Sequence, residues 1–273
     1  MINLDPSIAP KFQTQTSKYP SHPGLYLTEL KNEWLWIQFD HLKETNPFSR
    51  KLTLAITRLN TEIELDSQIR GVVFYGGSNR SFSSGGDFND VSQLKTADET
   101  KLYISEIIDL YQSVLRLNKP VISLLDHYVI GQGLQVALMS DWRIATDRVK
   151  ISMPELKNGV ACPLGATILK ELFGQAGMLA DVIGCEMMNA DVAFKKGYFN
   201  TLTTSENLTA AANTMIQKLS AYPVTPYLET KKIYTKSMLQ ALENVREPAA
   251  HAHIQTMFAG SATKHFERIL NRK

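Results

Sequence analysis

"NKPVISLLDHYVIGQGLQVALMSDWRIAT", residues 118–146, decides the fold. An apolar, β-branched run follows Pro120 and reads as one buried strand, "VISLLDHYVI". It breaks at Gly131-Gln132-Gly133, passes into a short helical pattern, and ends in "WRIAT", a further strand. Strand, glycine turn, helix, strand is the order of an α/β layer with crossover connections.

The pattern extends upstream. "GLYLTEL" and "EWLWIQF" are short, aromatic and β-branched, and read as paired strands. "NPFSRKLTLAITRLNTEIELD" puts Leu52, Ala55, Ile56, Leu59 and Ile63 at helical spacing, and "GVVFYGG" follows as a buried strand. Thr96 and Glu99 form a capping box that opens a helix with Ile104, Ile107, Ile108, Tyr111 and Leu115 facing inward. Pro120 closes that segment. Residues 1–23 are polar, proline-containing and aperiodic, and read as a loose arm. Downstream of about residue 210 the strand patterns stop. Pro223, Pro226 and Pro248 punctuate three helical segments, with Ile254, Met257, Phe258, Phe266, Ile269 and Leu270 expected to pack. The expected organisation is an arm (1–23), an α/β core (24–209) and a helical C-terminal region (210–273).

The chain's 273 residues suffice for one large domain or a domain with a helical appendage. A net charge of +2 gives no footprint for nucleic acid or an anionic membrane. Cys162 and Cys185 make neither a disulfide framework nor metal-ligand spacing, so a reducing compartment and no metal are expected. The opening residues lack a signal-peptide pattern and no apolar run spans a bilayer, which makes a cytoplasmic protein the expectation.

Two glycine turns carry the chemistry. "RSFSSGGDF" (80–88) and Gly131-Gln132-Gly133 both follow buried strands. Glycine lets a backbone N–H approach a ligand closely, and a helix start has unpaired N–H groups. Two such groups converging on one oxygen make an oxyanion hole. A dinucleotide fingerprint does not fit "GQGLQV": its third glycine is Val136 and it lies mid-chain. Glu155, in "MPELKNG", follows Pro154 in a turn; a glutamate there is ordinarily solvated, and gains chemical meaning only by facing the glycine turns.

Together, "RGVVFYGGSNRSFSSGGDF", "NKPVISLLDHYVIGQGLQVALMSDWRIAT" and "MPELKNGVACPLGAT" resemble the crotonase (enoyl-CoA hydratase/isomerase) superfamily, from about Gly24 onward. The resemblance implies a spiral of ββα turns forming two nearly perpendicular sheets, a helical C-terminal region used for trimer assembly, and acyl-CoA thioesters as substrates. It assigns the oxyanion-hole N–H groups to Gly86 and Gln132. Two glutamates serve hydratases of this family; here the first is Gln135 and the second Glu155. An amide orients a partner but does not exchange its proton usefully near neutral pH, so ordinary hydration is not expected. Cys162-Pro163-Leu164-Gly165 also departs from the hydratases' Pro-Gly-x-Gly loop.

Within the superfamily, "NPFSR", "IDLYQSVL", "MPELKNG" and the ending "HFERILNRK" are similar to the carboxymethylproline synthases of carbapenem biosynthesis. That branch has glutamine at Gln135, one glutamate at Glu155, and a non-glycine oxyanion residue at Gln132. It decarboxylates malonyl-CoA, adds the enolate to pyrroline-5-carboxylate (cyclised glutamate semialdehyde), and hydrolyses the thioester. The resemblance puts a histidine, here His253, near the product carboxylate, and makes Ser84, Phe88, His127 and Pro163 substrate-binding positions. His127 stands where the family usually has glycine. The implied assembly is a homotrimer or dimer of trimers. An enoyl-CoA isomerase is the close alternative, since one glutamate can shuttle a proton between two carbons; a CoA-binding protein without catalysis is the other.

Overall fold

The structure is a computed structural model and describes residues 18–258. Most of the expected arm, and Phe266, Ile269, Leu270 and "HFERILNRK", lie outside the described residues.

The strands are β1 (Tyr26–Lys31), β2 (Trp34–Phe39), β3 (Gly71–Tyr75), β4 (Val121–Leu125), β5 (Tyr128–Ile130), β6 (Trp142–Thr146), β7 (Lys150–Ser152), β8 (Met188–Asn189) and β9 (Thr201–Thr203). The helices are α1 (Arg50–Glu64), α2 (Phe88–Ser92), α3 (Ala97–Arg116), α4 (Gln132–Leu138), α5 (Pro163–Met178), α6 (Ala190–Lys195), α7 (Leu208–Ser220) and α8 (Val224–Phe258). One sheet runs β1-β2-β3-β4-β6-β9, and β5-β7-β8 form a second. The β1–β2 hairpin is antiparallel; β2, β3, β4, β6 and β9 are mutually parallel, joined by crossovers that carry helices.

Alternation along the strands sorts side chains onto two faces. Leu35, Ile37, Phe39, Val72 and Phe74 join the large core under α1 and α3. Trp34, Trp36, Val73, Ile122, Leu124 and Ile144 pack on the opposite face against Ala212, Met215 and Ile216 of α7. The capping box at Thr96 is formed, and Ile104, Ile107, Ile108, Tyr111 and Leu115 are all buried as their spacing requires.

Three expectations need correction. "VISLLDHYVI" is not one strand: β4 and β5 lie in different sheets and the chain turns a corner at Asp126-His127. Asp126 holds that corner, accepting from Thr146 Oγ1 at 2.6 Å and from Arg148 Nε and Nη2 at 2.8 and 2.6 Å. Second, α8 passes through Pro248 unbroken, whereas Pro223 does separate α7 from α8. An interior proline costs a helix about 3 kcal/mol; α8 lies along both α3 and α5, and that packing offsets the loss. Phe258 is exposed, not packed. Third, the end of the arm is anchored: Tyr19 is 3% exposed and its hydroxyl donates to Asp66 Oδ2 at 2.8 Å. A tyrosine buries its ring readily when its hydroxyl finds a partner.

Candidate active site

The two glycine turns are sewn together by backbone hydrogen bonds. Ser83 N–H donates to the Tyr128 carbonyl at 3.1 Å and Ile130 N–H to the Ser83 carbonyl at 3.0 Å. On the other side of the first turn, Phe48 N–H donates to the Gly85 carbonyl at 2.7 Å and Asp87 N–H to the Phe48 carbonyl at 3.0 Å. In that parallel pairing the Gly86 N–H points away from Phe48. Gln132 is the first residue of α4, where an N–H has no intrahelical acceptor. Neither N–H donates to a protein acceptor among the described residues.

The backbone explains the flanking glycines. Gly131 sits at φ 49°, ψ −121°, a conformation strained for residues with side chains. A Cβ at Gly133 would fall 2.5 Å from Ser83 Cβ, so the two turns meet only because it is absent. Gln132 between them is tolerated because its side chain turns inward to α1, Nε2 donating to Thr53 Oγ1 at 3.3 Å.

Glu155 faces these turns. β7 delivers it through Met153-Pro154 into a single 3₁₀ turn, Leu156–Asn158, closed by Gly159 in the left-handed region. Its carboxylate comes so close to Gly131 that a Cβ there would lie 3.2 Å from Oε1. Oε1 accepts from Gln135 Nε2 at 3.0 Å, and Oε2 is buried with no hydrogen-bond partner. Gln135 Oε1 in turn accepts from the Tyr111 hydroxyl at 2.7 Å. Burial raises the Glu155 carboxyl above its ordinary value, and hydrogen bonds from its own backbone N–H, the Cys162 thiol and Gln135 oppose the rise.

Gly86, Gln132, Gln135, Glu155, Ser84, Phe88 and His253 line one cavity. Phe88, Val91, Ile104 and Ile107 make much of it apolar, and no lysine or arginine among the described residues lines it. His253 and Met257 of α8 reach it from the C-terminal region. His253 Nδ1 lies 2.8 Å from the Ala249 carbonyl, which makes Nδ1 the protonated nitrogen of the neutral ring, and burial lowers the pKa of that ring.

His127 and Pro163 do not line the cavity. His127 is the corner residue between β4 and β5, at φ 50°, where its carbonyl accepts from Lys150 N–H at 2.7 Å. The left-handed backbone is the physical reason glycine suits this position, and the histidine ring adds no contact to the site. Pro163 starts α5 as its first helical residue, where a missing N–H costs nothing; its neighbours Cys162 and Leu164 line the cavity instead. Sequence reading missed Tyr111, Tyr103 and Cys162 as cavity residues. The signal for Tyr111 was a hydroxyl on an otherwise aliphatic inward face, since a buried phenol needs a partner. Among the described residues no three His, Cys, Asp or Glu side chains group to hold a metal, and no helix is long and apolar enough to cross a membrane.

The fold and the family match place the chain in the crotonase superfamily of acyl-CoA enzymes. Residues 29–268 match the enoyl-CoA hydratase/isomerase family, and the chain belongs to it. It is 37% identical over 237 residues to the carboxymethylproline synthase of Pectobacterium carotovorum subsp. carotovorum, spanning 87% of this chain and 95% of that one. It is 27% identical over 174 residues to the short-chain-enoyl-CoA hydratase of Clostridium acetobutylicum, spanning 63% and 66%. Among solved structures, ThnE from S. clavuligerus superposes with a TM-score of 0.71 at 28% identity, covering 82% of this chain and 98% of that one. The enoyl-CoA hydratase of Bacillus halodurans superposes at 0.82 with 18% identity, covering 89% and 99%, a likeness of fold.

Proposed function

We propose that this enzyme decarboxylates malonyl-CoA, adds the resulting enolate to a cyclic imine of the pyrroline-5-carboxylate type, and hydrolyses the thioester, as its similarity to a carboxymethylproline synthase suggests. The observation that carries the reading is the pairing of an unengaged amide couple, Gly86 and Gln132, with an apolar cavity that, among the described residues, offers a carboxylate no lysine or arginine. A malonyl carboxylate held there gains little from its surroundings, whereas the enolate oxygen formed on losing CO₂ is met by two N–H donors. Decarboxylation needs no base: the C–CO₂ bonding pair becomes the enolate. The nucleophilic carbon then attacks the carbon of the protonated C=N bond, and the ring nitrogen keeps its proton.

Glu155 acts in the last step. Its carboxylate accepts a proton from the water that attacks the thioester carbonyl, and coenzyme A leaves as a thiolate that is then protonated. Gln135 holds Glu155 without competing for that proton. Ser84 and Phe88 contact the acyl portion, and His253 the acceptor substrate. The proposed assembly is a homotrimer or dimer of trimers in the cytoplasm, built through the C-terminal region 210–273. No resident cofactor enters the scheme.

One observation favours a second reading. A single buried glutamate with a raised pKa beside the oxyanion amides is also what an enoyl-CoA isomerase needs. Mass spectrometry after incubation with malonyl-CoA, with and without pyrroline-5-carboxylate, separates the two. The first reading requires CO₂ loss and a carboxymethylated imino acid. Unchanged malonyl-CoA together with rapid isomerisation of a 3-enoyl-CoA supports the second.

A further inference from the structure

Tyr111 is fully buried on α3, and its hydroxyl reaches Gln135 Oε1 at 2.7 Å. Burial holds the phenol far above its ordinary pKa, so it remains protonated and has one hydrogen to give. Because that hydrogen is given to Oε1, the other end of the amide, Nε2, is turned to Glu155 Oε1 at 3.0 Å. The flipped amide would set its carbonyl oxygen against the carboxylate and leave two hydrogens facing the phenol. It would be tolerated only with Glu155 protonated.

We infer that Tyr111 is a positioning residue: it fixes the orientation of the Gln135 amide and thereby keeps Glu155 ionised for thioester hydrolysis, while leaving decarboxylation untouched. This rests on the reaction proposed above. Glu155's own backbone N–H and the Cys162 thiol also favour its ionised form, and neither depends on Tyr111; the Gln135 amide is the contribution that Tyr111 sets. Tyr103 and Tyr111 of α3 and Cys162 before α5 all have pKa values pushed up by burial and stay neutral. His253 of α8, its pKa pushed down, is the other ionisable side chain lining the cavity among the described residues.

The test uses Tyr111→Phe, which removes one oxygen and keeps the ring. Losing a single hydrogen-bond donor to the ionised form moves a carboxyl pKa by about one unit. The acid limb of the hydrolysis profile is therefore expected to move up by about one pH unit, so that hydrolysis below that limb falls about tenfold. CO₂ release from malonyl-CoA stays within about twofold. Gln135→Met should give the same displacement, and the double variant no more than either single change. An acid limb that stays in place in Tyr111→Phe, or a double variant that moves further than Gln135→Met, overturns the inference. Infrared titration of the Glu155 carboxyl, read as the difference from Glu155→Gln, follows the same displacement without substrate. Wild-type enzyme that leaves malonyl-CoA intact would defeat the proposed reaction, and the titration would still decide the role of Tyr111.

Discussion

Replacing Gly131 with alanine strikes both halves of the site at once. At φ 49°, ψ −121°, alanine carries about 1–3 kcal/mol of backbone strain. In a chain of this size each kcal/mol lowers Tm by about 2–4 °C. The new Cβ also falls 3.2 Å from Glu155 Oε1 and 3.7 Å from its carboxyl carbon, so the carboxylate must yield by a few tenths of an ångström. Relaxing the strain rotates the 131–132 peptide, which carries the Gln132 N–H. Loss of one oxyanion donor costs about 10²–10³ in rate. The assay is the initial rate of CO₂ release from malonyl-CoA, measured beside the melting curve. Gly24→Ala is the control: Gly24 also has positive φ, at 84°, but nothing lies within 4 Å of its would-be Cβ. It should lose stability and keep its rate. A folded Gly131→Ala variant that decarboxylates as fast as wild type would refute the reasoning.

Glu155→Gln should abolish thioester hydrolysis and raise Tm. A carboxyl whose folded pKa is raised penalises the folded state when ionised, so the gain is full above that pKa, shrinks as pH falls through it, and is gone below about pH 4, where the unfolded group is also protonated; melting curves from pH 4 to 8 check the trend. His127→Gly relieves a left-handed non-glycine backbone and a buried Nε2 with no partner, and is expected to leave turnover unchanged while stabilising the fold by up to about 1 kcal/mol in urea unfolding. Tyr19→Phe removes a hydrogen bond to the buried Asp66 carboxylate, whose pKa is held down to about 2 by Lys18, the Gln68 N–H and Tyr19. Its unfolding free energy should fall by about 1.5–3 kcal/mol with activity intact.

Most of the sheet, and most of the residues that line the candidate cavity, were legible for a physical reason: those parts are written in local patterns. The aromatic and β-branched runs "EWLWIQF" and "GVVFYGG" marked strands, and the capping box at Thr96 fixed where α3 begins. The glycine turns and Glu155 were readable because backbone N–H groups and a lone carboxylate have few uses together. What escaped notice was long-range. The corner at His127 was passed over because strand-forming residues resume straight after Asp126-His127, while the bonds of Asp126 that hold it reach Thr146 and Arg148. Pro248 read as a break because the packing of α8 along α3 and α5 cannot be seen in its own residues. Tyr111 passed as core because its partner, Gln135, lies 24 residues away.

The Gly86 and Gln132 amides are expected to hold one carbonyl oxygen with Glu155 close by. A crystal structure with acetyl-CoA bound tests it most directly. The thioester oxygen is predicted to lie about 2.7–3.1 Å from both amide nitrogens, with the Glu155 carboxylate beside the same thioester group. A thioester oxygen bound to neither amide, or to only one with Glu155 turned to solvent, would contradict it.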